Sequence, residues 1–193
     1  EKLVTDGTPV PVVASYGMTS GSTPPEGVTA PLVFYDAARP PSDAEMAGRI
    51  VVFQTVPYPA PPYSNAFLDN YTMTDYEWRS PGKWSPLHTI VPTSVSSSYH
   101  TRWVWNQLGG FAATAIRAKA AGAVVVYDLS PGAAFGLTQR SVYTANARAG
   151  EGAVYINCPT LTLDRVAGAK VIDDAKAGKR GTLTLTARFQ QDN

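Results

Sequence analysis

One unit in this chain constrains its fold more than any other: a helix of small residues, a glycine, and a run of strand formers. Residues 111–121 are mostly strong helix formers, and Phe111, Ala115, Ala118 and Gly122 fall on one helical face. The small residues on that face let the helix approach a sheet closely. Arg117 and Lys119 come late, where cations suit the helix dipole. Gly122 is the expected C′ stop. Ala123-Val124-Val125-Val126-Tyr127 then reads as a buried strand ending at Asp128.

Other elements follow from local pattern. Residues 1–13 alternate loosely and predict an early strand, and 15–25 is a Gly, Ser, Thr and Pro loop. Residues 30–35 form a short β-rich run, 38–42 a proline turn, and 49–53 (Arg49-Ile50-Val51-Val52-Phe53) a buried strand. Residues 130–152 predict a loop and 153–156 a short strand. An extended stretch over 158–163 leads into a helix over 163–177, with Thr162 as N-cap and Gly178 as C′. Residues 182–189 alternate strictly, which turns Leu183, Leu185, Ala187 and Phe189 inward. The expected class is α/β, a β-rich α+β domain spanning 1–193.

Composition narrows the function classes. Lys+Arg 16 against Asp+Glu 15 leaves a net charge of +1, so no basic footprint for nucleic acid exists. No apolar run approaches the ~20 residues that span a bilayer, so no transmembrane segment is expected. A single cysteine, Cys158, excludes an internal disulfide framework and a multi-cysteine zinc site. The opening at Glu1, without Met or leader, fits a processed chain or a piece of a longer one.

The segment 54–110 differs from everything around it. It holds all four Trp, both His and many of the Pro. Pro57-Tyr58-Pro59-Ala60-Pro61-Pro62-Tyr63 cannot be a central strand or a helix interior, because proline lacks the N–H and fixes φ. Its aromatic content argues against disorder, and a segment this long is expected to be functional. Tyr and Trp join apolar area to a polar tip, which suits ligand pockets and interfaces. As a strand, Trp103-Val104-Trp105 at period two would put both indoles on one face. Arg79, Lys83 and Arg102 can add cation–π or carboxylate contacts. The candidate binding residues are Tyr76, Trp78, Trp84, His88, His100, Arg102, Trp103 and Trp105. The competing reading is a satellite core under a long loop.

Catalytic and metal chemistry has little to stand on. No G-x-S-x-G elbow, H-E-x-x-H or calcium loop is present. Ser94, Ser96, Ser97 and Ser98 lie between His88 and His100, with Asp69, Asp75 and Glu77 upstream, but no motif organises them. No catalytic residue, metal ligand or cofactor is expected. Cys158, in an apolar stretch before Pro159, reads as an inert small hydrophobe. Asn70-Tyr71-Thr72 is a glycosylation sequon that matters only in a eukaryotic secretory host.

Three blocks together resemble the protease-associated domain family. The first is Val28-Thr29-Ala30-Pro31-Leu32-Val33-Phe34-Tyr35 followed by Met46-Ala47-Gly48-Arg49-Ile50-Val51-Val52-Phe53, with Arg49 at a usual Lys. The second is Gly110-Phe111, Thr114, Ala118 and Ala121-Gly122-Ala123, with Thr114 at a usual Lys. The third is Tyr155-Ile156-Asn157-Cys158-Pro159-Thr160-Leu161-Thr162-Leu163. The segment 54–110 stands where that family has a short connection, and so counts as an insertion. The resemblance implies a central β-sheet or open barrel flanked by two main helices. It further implies a non-catalytic accessory domain of a secreted or envelope hydrolase, a peptidase above all. Such a domain would mediate protein or peptide contact, with an attached peptidase module as one partner, or control substrate access. The alternative from the residues alone is a module binding a small aromatic or glycan ligand, or a small enzyme, with the insertion as its pocket. The implied location is secreted, periplasmic or at the cell envelope.

Overall fold

The computed structural model describes residues 1–15, 21–55, 107, 110–128, 131, 134 and 158–186. These form a mixed α/β fold. In chain order the elements are β1 (Lys2–Thr5), β2 (Thr8–Val10), β3 (Ala14–Ser15), β4 (Val28–Phe34), α1 (Asp43–Met46) and β5 (Ile50–Gln54). Then come α2 (110–117), β6 (Gly122–Val126), β7 (Thr160–Leu163), α3 (Arg165–Lys176) and β8 (Arg180–Thr184).

All eight strands join one sheet in the order β2-β1-β8-β4-β5-β6-β7-β3. Strands β4, β5, β6 and β7 run parallel, with Val52 paired with Phe34 in β4 and with Val124 in β6. Strands β1, β2, β3 and β8 pair antiparallel. Strand β4 links the two parts: Val28–Pro31 pair with β8, and Leu32–Phe34 pair with β5.

The sheet curls into an open half-barrel. Its two edge strands, β2 and β3, are joined by only three residues, 11–13. That connection spans at most about 14 Å. Seven strand spacings of about 4.8 Å laid flat would separate the edges by about 34 Å. Only curling brings the edges within reach.

Alternation along the parallel strands sends side chains to two cores. Val51, Phe53, Ala123, Val125 and Tyr127 pack with Met46 of α1 and with Ala115 and Ala118. Ile50, Val52, Val124 and Val126 pack with Val171, Ile172 and Ala175 of α3, together with Leu3, Leu32, Leu161 and Leu183. Helices α2 and α3 therefore cover opposite faces. The buried runs at β5 and β6 lie where the apolar pattern predicts them, and Leu183 and Leu185 are buried as expected.

Several boundaries correct the sequence reading. The early strand is a hairpin. Asp6 and Gly7 take φ of 50° and 74°, the doubly left-handed turn that matches strand twist, and Thr5 pairs with Thr8 across it. The proline turn runs into α1, whose N-cap Ser42 and Glu45 form a reciprocal capping box. Ser42 holds the Glu45 carboxyl below its ordinary value.

Helix α2 ends before Gly122. Lys119 N–H donates to Ile116 O at 3.0 Å and Ala120 N–H to Ala115 O at 2.9 Å, a Schellman close with Lys119 at φ 54°. Gly122 instead begins β6 opposite Ile50. Thr162 is not a cap but a buried residue of β7. Asp164 caps α3, accepting Val166 N–H at 2.8 Å and Ala167 N–H at 2.9 Å. Gly178 does close α3 at φ 64°. Strand β8 begins at Arg180, two residues earlier than predicted. The strand expected over 153–156 and the positions Ala187 and Phe189 lie outside the described residues.

Candidate functional site

All eight candidate binding residues, Tyr76, Trp78, Trp84, His88, His100, Arg102, Trp103 and Trp105, lie outside the described residues, as does the sequon at Asn70. The described residues define where that segment leaves the frame and where it rejoins it. It leaves after Thr55, at the carboxyl end of β5. It rejoins at Gln107, which is helical, just ahead of α2. In open α/β sheets, ligands bind outside the carboxyl ends of the parallel strands.

Among the described residues, three rings gather at this edge. Phe53 and Phe111 stack with centroids 4.6 Å apart, and Tyr35 stands 5.1 Å from Phe53 and 6.5 Å from Phe111. Phe53 is fully buried, while Tyr35 and Phe111 are half-buried. Such pairs contribute about 0.5–1.5 kcal/mol each beyond burial. Each ring marks an element boundary: the residue after β4, the end of β5 and the start of α2. The sequence reading did not group them. Their shared position, at the ends of apolar runs that bracket 54–110, was the available signal.

The backbone at this edge is knitted one residue past each strand. Tyr35 N–H donates to Val52 O at 2.9 Å, Thr55 N–H to Val126 O at 2.9 Å, and Tyr127 N–H to Leu163 O at 2.8 Å. The buried Thr55 hydroxyl accepts Asp128 N–H at 3.0 Å. The Asp128 carboxylate faces Arg165 at 3.7 Å. Asp164 is occupied as the cap of α3, so among the described residues both acids here are already partnered.

Among the described residues the most buried acid lies elsewhere. Asp174 of α3 is 4% exposed and takes hydrogen bonds from Thr5, 2.7 Å away, and from Lys170, with Lys179 at 3.1 Å on its other oxygen. Burial works against the charge, but the bonds from Lys170, Thr5 and Lys179 outweigh it and hold the carboxyl at about 2. Lys179 also reaches Asp6 at 2.8 Å, so one cluster ties the β1–β2 turn to α3 and β8. Lys179 is raised in turn, by Asp6 first and then Asp174. The cluster is a structural clasp.

Cys158 is 2% exposed, and burial pushes its thiol up to about 11, with a smaller opposing hydrogen bond from Thr160. At neutral pH it is a thiol packed in the α2-side core, as the sequence suggested. Among the described residues no cluster of three His, Cys, Asp or Glu could hold a metal ion. Among them, too, no helix is long and apolar enough to cross a membrane. Comparison of the chain with protein-family models, with curated proteins and with solved structures returns no match.

Proposed function

We propose that this chain is a protease-associated-like accessory domain without catalytic chemistry of its own. It would serve a secreted or envelope hydrolase, a peptidase above all, by contacting a protein or peptide or by controlling substrate access. The single observation that carries the reading is positional. The aromatic segment 54–110 springs from one edge of the parallel strands and returns to it, beside the Tyr35–Phe53–Phe111 rings. Among the described residues, the acidic groups at that edge are committed to a turn (Asp36, which accepts Ala38 N–H), a cap (Asp164) and an ion pair (Asp128).

The three motif blocks support the same reading. The first covers β4, the end of α1 and β5, the second α2 and the start of β6, and the third leads through β7 to α3. The frame is a scaffold, and its variable part is a loop rich in residues that favour interfaces. Assays of the purified chain on peptide, ester and glycoside substrates test the proposal. It predicts hydrolysis no faster than buffer. Turnover that a single polar substitution abolishes would overturn it.

A second reading rests on the density of Trp and Tyr between 58 and 105: a pocket for a small aromatic or glycan ligand. Replacing Trp103 and Trp105 with Ala would then abolish binding while the chain stays folded. If the double variant instead unfolds, the rings are core.

A further inference from the structure

The β2 edge of the half-barrel carries two prolines whose placement is not accidental to the pairing. The hydrogen-bond parity can be worked out from the pairs. Asp6 N–H donates to Arg180 O at 3.1 Å, so the even residues of β1 turn toward β8. Leu3 and Thr5 then turn toward β2 and form the hydrogen-bonded pairs with Val10 and Thr8. Pro9, opposite Val4, turns its backbone away from β1, and Pro11 is the first residue past β2. Pro9 is thus the position from which β2 would offer an outward N–H to a further strand, and neither it nor Pro11, directly beyond the strand, has one. Pro9 and Pro11 are both exposed, and among the described residues no strand pairs with that side of β2.

We infer that Pro9 and Pro11 close the β2 edge against strand addition by a second copy of this chain. Unpaired edges are templates for association, and removing their donors is one way to blunt them. The rest of the edge would suit pairing: Thr8 and Val10 are β-branched, and the two-residue turn fixes the register of β2 on β1.

The test is Pro9→Val with Pro11→Val, which restores the outward donor of β2 and the N–H just beyond it without touching a buried side chain. Sedimentation equilibrium over a hundredfold concentration range reads the outcome, with circular dichroism as the folding check. The expected result is a wild-type mass that does not change with concentration and a variant mass that climbs from 20.6 kDa toward twice that value. Adding Thr8→Lys, an exposed charge on the same edge, should reverse the climb. Pro9→Val alone restores one donor, should associate more weakly, and serves if the double variant does not fold. A folded variant whose mass tracks the wild type at every concentration would overturn the inference. So would association that Thr8→Lys leaves unchanged.

Discussion

Replacing Gly168 with alanine sets two known effects against each other. Gly168 lies in the first turns of α3, where the helix crosses β6. A methyl there would overlap Val126 Cγ1 and come within 2.8 Å of Cγ2 and 3.0 Å of Cβ. Val126 is fully buried, so its side chain has little room to retreat. Forcing a methyl into such a site costs about 1–3 kcal/mol, and the close backbone approach argues for the upper half of that range. Alanine gives back about 1 kcal/mol of helix propensity. The net expectation is a loss of about 1–2 kcal/mol, which for a chain of this size lowers Tm by about 2–8 °C. Thermal and urea melts followed by circular dichroism measure it. Val126→Ala should cost about 2 kcal/mol alone by cavity formation, yet relieve the clash. The double variant should therefore be more stable than the two separate losses predict. A Gly168→Ala chain as stable as wild type, or strict additivity in the pair, would refute the packing argument.

Three further outcomes follow from the same geometry. Asp174 has its carboxyl at about 2 in the folded chain against an ordinary 3.8, so its ionised form stabilises the fold above pH 3.8 and that contribution fades as pH falls toward 2. The contribution is about 2 kcal/mol; Asp174→Asn should lower Tm at neutral pH and flatten its decline between pH 4 and 2 in a series of melts. Lys119→Gly should raise stability by about 1 kcal/mol, because glycine takes the left-handed C′ conformation without the lysine's steric cost, and a higher urea midpoint at unchanged slope would show it. Cys158, buried and with its thiol at about 11, should resist a disulfide reagent at pH 8 until the chain is unfolded, and rapid labelling of the folded chain would contradict its burial.

Where the sequence was readable, burial and helix closure made it so. Val51 to Phe53 and Ala123 to Val126 are buried on both sides of the sheet, so continuous apolar runs were the right signal. Gly178 ended α3 because a left-handed residue was needed there and glycine was present. Helix α2 shows the opposite case. Its left-handed residue is Lys119, and the glycine that looked like a stop begins the next strand. Tertiary contact decides this: Lys119 O accepts Gly48 N–H at 3.0 Å and Arg49 O accepts Ala121 N–H at 2.9 Å, which fixes the turn between α2 and β6 against the start of β5. Asp6-Gly7 and Ser42-x-x-Glu45 carry legible turn and capping signals, one set in a loose alternation and the other behind a proline turn. Thr162 and Asp164 are both good cap residues. Burial of Thr162 in β7 moved the helix start two residues on. The curl of the sheet was not legible from local pattern. It arises because β2 and β3 follow one another in sequence yet pair at opposite ends of the strand order.

The proposed function requires that the aromatic segment contact protein or peptide, and all four Trp lie within that segment. Tryptophan fluorescence during titration of the purified chain with peptides, oligosaccharides and small aromatics tests this most directly. A saturable shift with peptides, and none with the other two classes, is the predicted result. A saturable shift with an oligosaccharide or a small aromatic, and no response to any peptide, would contradict it.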